Sequence, residues 1–244
     1  MDSKLKKVSI LLMIAIAAVF QSCSSEDDGL VIENENQLEN VQERIDQYQT
    51  SIENIKVPDR MLQYAEGNTY AYSAGFSLTI LQTQALTYSS IFLSIPNDAE
   101  QQNSIGKSGR STTTWVWSAG GVTLYYTVTS DATYYYFTYD IEEGGVRRTF
   151  YEGRISKDGN SYEVRFNAEE GEFLLMTYNK TGSIIDLTIE NSNNEKAELV
   201  FNEADRSGSI KIYEFGALTE SFVWLSDGTG YYINHATGDT FSWP

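Results

Sequence analysis

The second half of the chain is a series of short β-prone runs separated by turn residues, and this pattern restricts the fold most. From Thr113 onward, runs rich in Thr, Tyr, Val, Ile and Phe alternate with turns that contain Gly, Asn and Asp. Asp158-Gly159 and Asp227-Gly228 suit tight hairpin turns, where glycine adopts a positive φ at little cost. None of these connections is long enough for the crossover helix of a parallel sheet. The pattern therefore predicts roughly twelve antiparallel strands in an up-and-down meander: Thr113–Trp117, Val122–Ser130, Thr133–Ile141, Val146–Ser156, Ser161–Ala168, Glu172–Asn179, Ser183–Glu190, Ala197–Phe201, Ser209–Phe215, Leu218–Leu225, Gly230–Asn234 and Asp239–Trp243.

The first half carries two helical patterns. Over Gln37–Ile55 the apolar residues advance by three or four positions, which is the spacing of one helix face. A second stripe runs over Ser73–Ser94, and Pro96 closes it. The many β-prone residues of this second segment leave strands as an alternative, although neither of its faces alternates with a period of two. Residues 97–112 are polar and contain glycine, so a loop is expected there.

Many of the predicted strands are apolar on both faces. Thr133–Ile141, for example, places Tyr134 and Tyr136 on one face and a second set of apolar residues on the other. A sheet with one solvated face would alternate more cleanly, so we expect both faces to be covered or one of them to line a cavity. The Ser73–Ser94 helix is the obvious cover. The sequence thus predicts an α+β, mostly β domain in which the meander forms a barrel or half-barrel around a helix.

This architecture resembles lipocalin-like barrels and the LolA- and LolB-like half-barrels of lipoprotein carriers. The resemblance implies an interior suited to an acyl chain or another apolar ligand. The alternative is that the inward residues simply fill a core. The candidate ligand-binding residues of such an interior are Leu81, Tyr88, Phe92, Trp115, Trp117, Tyr134 and Tyr136.

The N-terminus has the pattern of an export signal. Lysines precede the apolar run Val8–Phe20, which is too short to cross a bilayer and is typical of a signal peptide. Ser22-Cys23 ends the run and resembles the lipobox of bacterial, Bacteroidetes-type outer-membrane lipoproteins. The resemblance implies cleavage before Cys23 and lipidation of this cysteine, which is the single one in the chain. We therefore expect a membrane anchor at Cys23.

The expected organisation is a signal peptide over residues 1–22, an acidic tether over 23–36 and one domain over 37–244. Ser24–Asp28 resembles the acidic signal that sends such lipoproteins to the exterior of the outer membrane. A plain solvated tether is an equal alternative for this short stretch. The face of the membrane on which the protein lies therefore stays open.

Charge and composition exclude several functions. The chain has 34 acidic and 17 basic residues, a formal charge of −17, which opposes binding to nucleic acid. One cysteine and one histidine cannot form a Cys/His zinc site. The chain also lacks a Gly-rich nucleotide loop, and no cofactor is expected. The oligomeric state is not indicated.

Signals for catalysis are weak. His235 is the only histidine, and no Gly-x-Ser-x-Gly motif accompanies it. The carboxylate pairs Glu142-Glu143 and Glu169-Glu170 lie at predicted hairpin ends, where solvated charges are common. We therefore expect a non-enzymatic lipoprotein that binds an apolar ligand or an envelope partner. The alternative is a surface-displayed glycan- or protein-binding module that uses exposed aromatic rings, with these candidates: Trp115, Trp117, Tyr125, Tyr126, Tyr134, Tyr135, Tyr136 and Trp243.

Overall fold

Three helices are followed by thirteen strands in the part of the chain that the computed structural model describes, residues 35–90, 95–105, 111–168 and 171–244. This order confirms the predicted α+β, mostly β class. The helices are α1 (Glu35–Glu53), α2 (Asp59–Ala65) and α3 (Thr69–Ser90). The strands are β1 (Glu100–Ile105), β2 (Ser111–Ala119), β3 (Val122–Ser130), β4 (Tyr134–Glu143), β5 (Val146–Ser156), β6 (Ser161–Asn167), β7 (Phe173–Thr181), β8 (Ile184–Asn191), β9 (Lys196–Asn202), β10 (Gly208–Glu214), β11 (Ala217–Trp224), β12 (Gly230–Asn234) and β13 (Thr240–Trp243).

All thirteen strands belong to one sheet in which the spatial order is the chain order. Every pair of neighbours is antiparallel, as a meander of hairpins requires. β1 forms one edge of the sheet and β13 forms the other, so the sheet is not closed. Of the two predicted forms, barrel or half-barrel, the protein therefore has the open one.

The long helices confirm the sequence pattern. α1 corresponds to the predicted Gln37–Ile55 helix. α3 corresponds to the predicted Ser73–Ser94 helix, not to strands, and residues 91–94 lie outside the described residues. α3 begins earlier than predicted because the side-chain oxygen of Asn68 accepts hydrogen bonds from the backbone N–H groups of Tyr70 and Ala71, at 2.9 and 3.1 Å. Asn68 therefore caps the helix.

Two elements differ from the sequence prediction. The expected loop over residues 97–112 is wrong for Glu100–Ile105, which forms β1, and for residues 111–112, where β2 begins, while residues 106–110 lie outside the described residues. β1 is polar and does not alternate, but its backbone pairs with β2 from Glu100 opposite Val116 to Ile105 opposite Ser111. An edge strand can be polar because only one side of it needs a partner strand. The short helix α2 was also not predicted.

The helices cover one side of the sheet, which we call the inner face. Tyr48 of α1 contacts the rings of Tyr162 and Tyr178, with centroids 4.6 and 4.9 Å away. At the other end, Tyr70 of α3 stacks on Tyr232 and Phe241 at 4.9 and 4.6 Å. These contacts join the helices to the middle and to the C-terminal edge of the sheet.

The last strands are fixed by two tryptophans that use the same arrangement. Nε1 of Trp224 donates to the carbonyl of Arg206 at 2.8 Å, and Nε1 of Trp243 donates to the carbonyl of Gly228 at 2.9 Å. Each ring lies over the glycine two residues after its acceptor, Gly208 or Gly230, where an added Cβ would collide with the ring. The glycines are therefore needed for the close approach of the indoles.

Candidate functional site

The inner face of β2 carries Trp115 and Trp117, two of the predicted ligand-binding residues. Residues that pair across neighbouring strands form a row that runs from β2 to the helix-covered centre of the sheet. The row consists of Trp115, Tyr126, Tyr139, Tyr151 and Phe166. Trp115 lies 5.9 Å from the ring of Tyr126, and Trp117 lies 5.7 Å from the ring of Tyr139. Both indoles are thus part of an aromatic layer near the β1 edge of the sheet.

Two side-chain polar atoms on the inner side of β2 are buried without a hydrogen-bond partner among the described residues. They are Nε1 of Trp117, in a side chain 8% exposed, and Oγ1 of Thr113, in a residue that is 0% exposed. Thr113 and Trp117 point to the same side of β2, because side chains alternate along a strand. A buried donor that forms no hydrogen bond costs about 1–3 kcal/mol. Such atoms are rare in native proteins and indicate a strained or functional position.

The predicted residues of α3 take part in the helix–sheet core. Leu81 is buried in it. Tyr88 is half-buried, and its ring lies 4.9 Å from that of Phe166. Burial raises the pKa of the Tyr88 phenol, so this hydroxyl stays neutral under ordinary conditions. Phe92 lies outside the described residues.

The remaining candidates, Tyr134 and Tyr136, lie on the opposite side of the sheet, which we call the outer face. Their ring centroids are 6.1 Å apart. The hydroxyl of Tyr136 donates to Oδ2 of Asp131 at 2.9 Å, and the guanidinium of Arg154 lies 5.3 Å from the Tyr134 ring. The structure therefore divides the predicted ligand-binding residues between two faces of the sheet.

An open groove adjoins Tyr134 at one end of the strands. Its volume is about 430 Å³. The side chains of Lys157, Asn160, Asn179 and Lys180 line it and provide several hydrogen-bonding groups. Asp158 also lines it, and hydrogen bonds from the Ser156 hydroxyl and from the Asn160 backbone hold the pKa of this carboxyl below its usual value. Sequence reasoning identified only Tyr134 here, because the other named residues come from two further hairpins, β5–β6 and β7–β8.

The other aromatic candidates for glycan binding differ in burial: two are in the core and two are half-buried. Tyr126 and Trp243 are buried in the core. Tyr135 is half-buried, and Nζ of Lys157 lies 5.1 Å from its ring centroid. Tyr125 is half-buried, donates to Oε2 of Glu142 at 2.8 Å, and lies under the guanidinium of Arg147 at 3.8 Å. The hydrogen bond to Glu142 raises the pKa of Tyr125.

The structure brings His235 next to a serine that the sequence did not indicate. Nε2 of His235 lies 2.9 Å from Oγ of Ser221. A serine-hydrolase site also needs a carboxylate on the other ring nitrogen and backbone donors for an oxyanion. The described contacts of this pair include neither of these, so the geometry is that of a hydrogen bond between β11 and the turn after β12.

Of the two predicted carboxylate pairs, the first forms contacts with neighbouring side chains and the second lies outside the described residues. Glu142 accepts the Tyr125 hydrogen bond, and Glu143 lies 3.6 Å from Arg148 across the β4–β5 turn. Glu169 and Glu170 lie outside the described residues. In the described ranges, no group of three or more His, Cys, Asp or Glu residues is placed to hold a metal ion.

Comparison of the chain with protein-family models, with curated proteins and with solved structures finds no match. Within the described part of the chain, no helix is both long and apolar enough to span a membrane.

Proposed function

We propose that this chain is a lipid-anchored outer-membrane protein that acts by binding, not by catalysis. The position of Cys23 supports the anchor, because this single cysteine lies three residues after the end of the apolar run of the leader. The polar residues up to the start of α1 then serve as a tether between the membrane and the folded domain.

We further propose that the inner face of β2 binds an apolar molecule that carries a hydrogen-bond acceptor. The observation that carries this proposal is the buried Nε1 of Trp117, which has no acceptor within the described ranges. An acyl chain would contact the aromatic layer around Trp115 and Trp117, and its ester or carboxyl oxygen would accept from Trp117 or Thr113. Ligand sites commonly combine an apolar lining with a few polar groups in this way.

The open sheet supports access to this position. Only β1 separates β2 from the edge of the sheet, and β1 is a short polar strand. Because Thr113 and Trp117 are buried, a ligand would have to enter beside this edge, where it does not need to cross the helix-covered centre.

Titration with a fluorescent fatty acid tests the ligand site. The protein would comprise residues 23–244 with Cys23→Ser. We expect Trp117→Phe and Thr113→Val each to weaken binding about threefold to tenfold, because each removes one hydrogen-bonding group and leaves an apolar side chain in its place. Trp243→Phe is the matched control, since Nε1 of Trp243 already donates to Gly228. Absence of uptake, or equal affinity in all variants, would reject an apolar-ligand site at β2.

Metabolic labelling with a fatty-acid analogue tests the anchor separately. The full-length chain should incorporate the label and fractionate with the outer membrane, and Cys23→Ala should abolish both results. Ser22→Ala keeps a small residue before the cysteine and serves as the control. Equal labelling of the Cys23→Ala chain would show that lipidation occurs elsewhere or not at all.

A glycan-binding module is the second candidate, and the groove beside Tyr134 favours it. A half-buried tyrosine ring, two amides and two lysines in an open groove match the stacking and hydrogen-bonding needs of a sugar. Screening on a glycan array should then show binding that Tyr134→Ala and Asn179→Ala reduce and that Tyr231→Ala, on distant β12, leaves unchanged. Binding that is equal in the three variants would remove the groove from consideration.

A further inference from the structure

The groove beside Tyr134 is held in a fixed shape by backbone hydrogen bonds between neighbouring hairpins. The backbone N–H of Lys157, in the β5–β6 turn, donates to the carbonyl of Thr133 in the β3–β4 turn at 2.8 Å. The backbone N–H of Lys180, near the end of β7, donates to the carbonyl of Asn160 at 2.7 Å. Three hairpins are therefore joined side by side, and each joint lies at a lysine. A groove that is already formed binds a ligand without first having to order its walls.

The carboxylate that lines the groove is already bonded to its own turn. Oδ1 of Asp158 accepts hydrogen bonds from the hydroxyl of Ser156 at 2.6 Å and from the backbone N–H of Asn160 at 3.0 Å. The oxygen of Ser156 in turn accepts from the backbone N–H of Ser161 at 2.8 Å. These bonds use Oδ1 and hold the carboxylate against the turn. Asp158 therefore offers the hydroxyl groups of a ligand less acceptor capacity than a free carboxylate would.

The other charged groups that line the groove are two ammonium groups, which can only donate hydrogen bonds. Nζ of Lys157 lies 5.1 Å from the ring centroid of Tyr135, and Lys157 takes part in none of the ion pairs between described residues. Nζ of Lys180 lies 2.7 Å from Oε2 of Glu203, which leaves further N–H groups of this ammonium for a ligand. In a chain whose formal charge is −17, the charged lining of the groove is therefore positive on balance.

We infer that the ligand of this groove is an acidic sugar, a ring that carries one carboxylate or one phosphate group. The inference rests on the proposal that the groove binds a glycan. The sugar ring would contact the ring of Tyr134, and its anionic group would accept hydrogen bonds from Nζ of Lys157 and from Nζ of Lys180. Hydrogen bonds to a charged group are stronger than those between neutral groups, so the anionic group would supply much of the selectivity.

The charge of the whole chain restricts the ligand to a small number of anionic groups. A chain with a formal charge of −17 repels a polyanion along its length, and this repulsion grows with each charge that the ligand carries. Two lysines in one groove can offset a single anionic group but not a run of them. An isolated acidic sugar therefore fits the groove, whereas a nucleic acid or a densely sulfated polymer does not.

Binding to matched sets of sugars tests this inference. The full chain, kept in mild detergent, would be applied to an array that presents glucose, galactose and mannose, each as the sugar itself, as its uronic acid and as its 6-phosphate. For at least one of the three rings, an acidic form should bind about fivefold or more tightly than the neutral form at about 0.15 M salt. This preference should fall at about 0.5 M salt, because salt screens the attraction between the lysines and the anionic group.

Substitutions that change the charge of the groove should change the preference in both directions. Lys157→Gln should weaken binding of the acidic form about fivefold and change binding of the neutral form less than about twofold. Lys211→Gln makes the same change in net charge on β10, three strands from β7, and should have no effect. Glu203→Gln should strengthen binding of the acidic form about twofold, because it releases Lys180 from its ion pair. Glu214→Gln, at the far end of β10, is the matched control for this gain.

The outcomes separate this inference from the glycan proposal on which it rests. If the neutral and acidic forms bind equally and Tyr134→Ala weakens both, the groove binds glycans but the inference is overturned. If no form of any sugar binds, the glycan proposal fails together with the inference. An acidic preference that Lys157→Gln leaves unchanged would also overturn the inference, because the anionic group would then bind elsewhere on the chain. Circular dichroism would verify that each variant is folded.

Discussion

The three tryptophans Trp117, Trp224 and Trp243 are all buried, but their indole N–H groups differ in a way that controls what each contributes to stability. Nε1 of Trp224 and of Trp243 donates to a backbone carbonyl of a neighbouring turn. Nε1 of Trp117 has no such acceptor in the described segments. A satisfied buried donor stabilises the fold modestly, whereas an unsatisfied one destabilises it.

We therefore expect different results from the same substitution. Trp224→Phe should lower the free energy of unfolding by about 1–3 kcal/mol, since it leaves the Arg206 carbonyl without its donor and removes packing over Gly208. Trp117→Phe loses the same part of the indole ring but also removes a donor that is buried without a partner, so it should lower the free energy of unfolding less than Trp224→Phe does. Urea unfolding of both variants measures this difference. A larger loss for Trp117→Phe would show that this indole N–H is satisfied in solution.

The buried tyrosines make stability depend on alkaline pH. Burial raises the pKa of Tyr139 from its ordinary value of 10.0 to about 12. The pKa values of Tyr48, Tyr126, Tyr151 and Tyr162 are also raised, with burial as the largest cause. Near pH 10 the unfolded chain loses phenolic protons that the folded chain still holds. The stability from these groups is therefore complete below pH 10 and is lost as pH rises toward the folded pKa values.

We expect the chain to unfold cooperatively above pH 10, with the tyrosinate absorbance and the loss of circular dichroism changing together. Tyr139→Phe cannot ionise, so this variant should lose less stability between pH 10 and pH 12 than the unsubstituted chain. Tyr231→Phe, on the surface of β12, is the control and should shift the transition less. Gradual tyrosine ionisation without unfolding would contradict this expectation.

At the scale of elements, one glutamine holds the two long helices in register. Nε2 of Gln82 donates to the carbonyls of Ile52 and Ile55, both at 2.8 Å. The Ile52 carbonyl belongs to the last turn of α1 and the Ile55 carbonyl lies two residues beyond its end, where the last carbonyls have no partner within the helix. Gln49 adds a second link, with Nε2 donating to Oγ of Ser89 at 2.9 Å.

Gln82→Leu should therefore lower the free energy of unfolding by about 1–3 kcal/mol, since the Ile55 carbonyl loses the Gln82 donor and the Ile52 carbonyl keeps only the Ile55 N–H, at 3.2 Å. Gln84→Leu makes the same chemical change two positions away on the same helix and should change stability by less than about 0.5 kcal/mol. Thermal unfolding of the two variants compares them directly. Equal destabilisation would show that the cost comes from leucine on α3 and not from the lost hydrogen bonds.

The elements were predictable from the sequence where their pattern depends on local residues. Turn glycines and alternating apolar residues indicate the hairpins from β2 to β13, and the stripe of α3 indicates its core-facing side. β1 was missed because its polar residues carry no alternation, and it exists only through backbone pairing with β2. The start of α3 was missed because the capping bonds of Asn68 depend on the local backbone.

The candidate sites were predictable only in part. Alternation along β4 correctly separates Tyr134 and Tyr136 from the core-facing residues of that strand. The unsatisfied Nε1 of Trp117 and the groove beside Tyr134 depend on neighbours that are distant in sequence. The pattern of residues along one β-strand contains no information about those neighbours. For the same reason, no sequence pattern indicates that Ser221 lies beside His235.

At the scale of the whole molecule, an open sheet is covered on its inner face by helices, and its charge is strongly negative. Most of the described ion pairs are at least partly exposed, as with Arg154–Glu163 and Lys180–Glu203, and such pairs contribute little to stability. Repulsion among the excess acidic residues is therefore the dominant long-range electrostatic effect.

Added salt should consequently stabilise the fold. Raising sodium chloride from about 0.01 M to about 0.5 M shortens the Debye length from about 30 Å to less than 8 Å and screens the repulsion among acidic groups. We expect the melting temperature to rise by several degrees over this range, and most of the rise should occur below about 0.15 M. Differential scanning calorimetry at a fixed low protein concentration measures it while limiting self-association. A melting temperature that falls with salt would show that the surface ion pairs outweigh the net charge, because screening weakens attraction and repulsion alike.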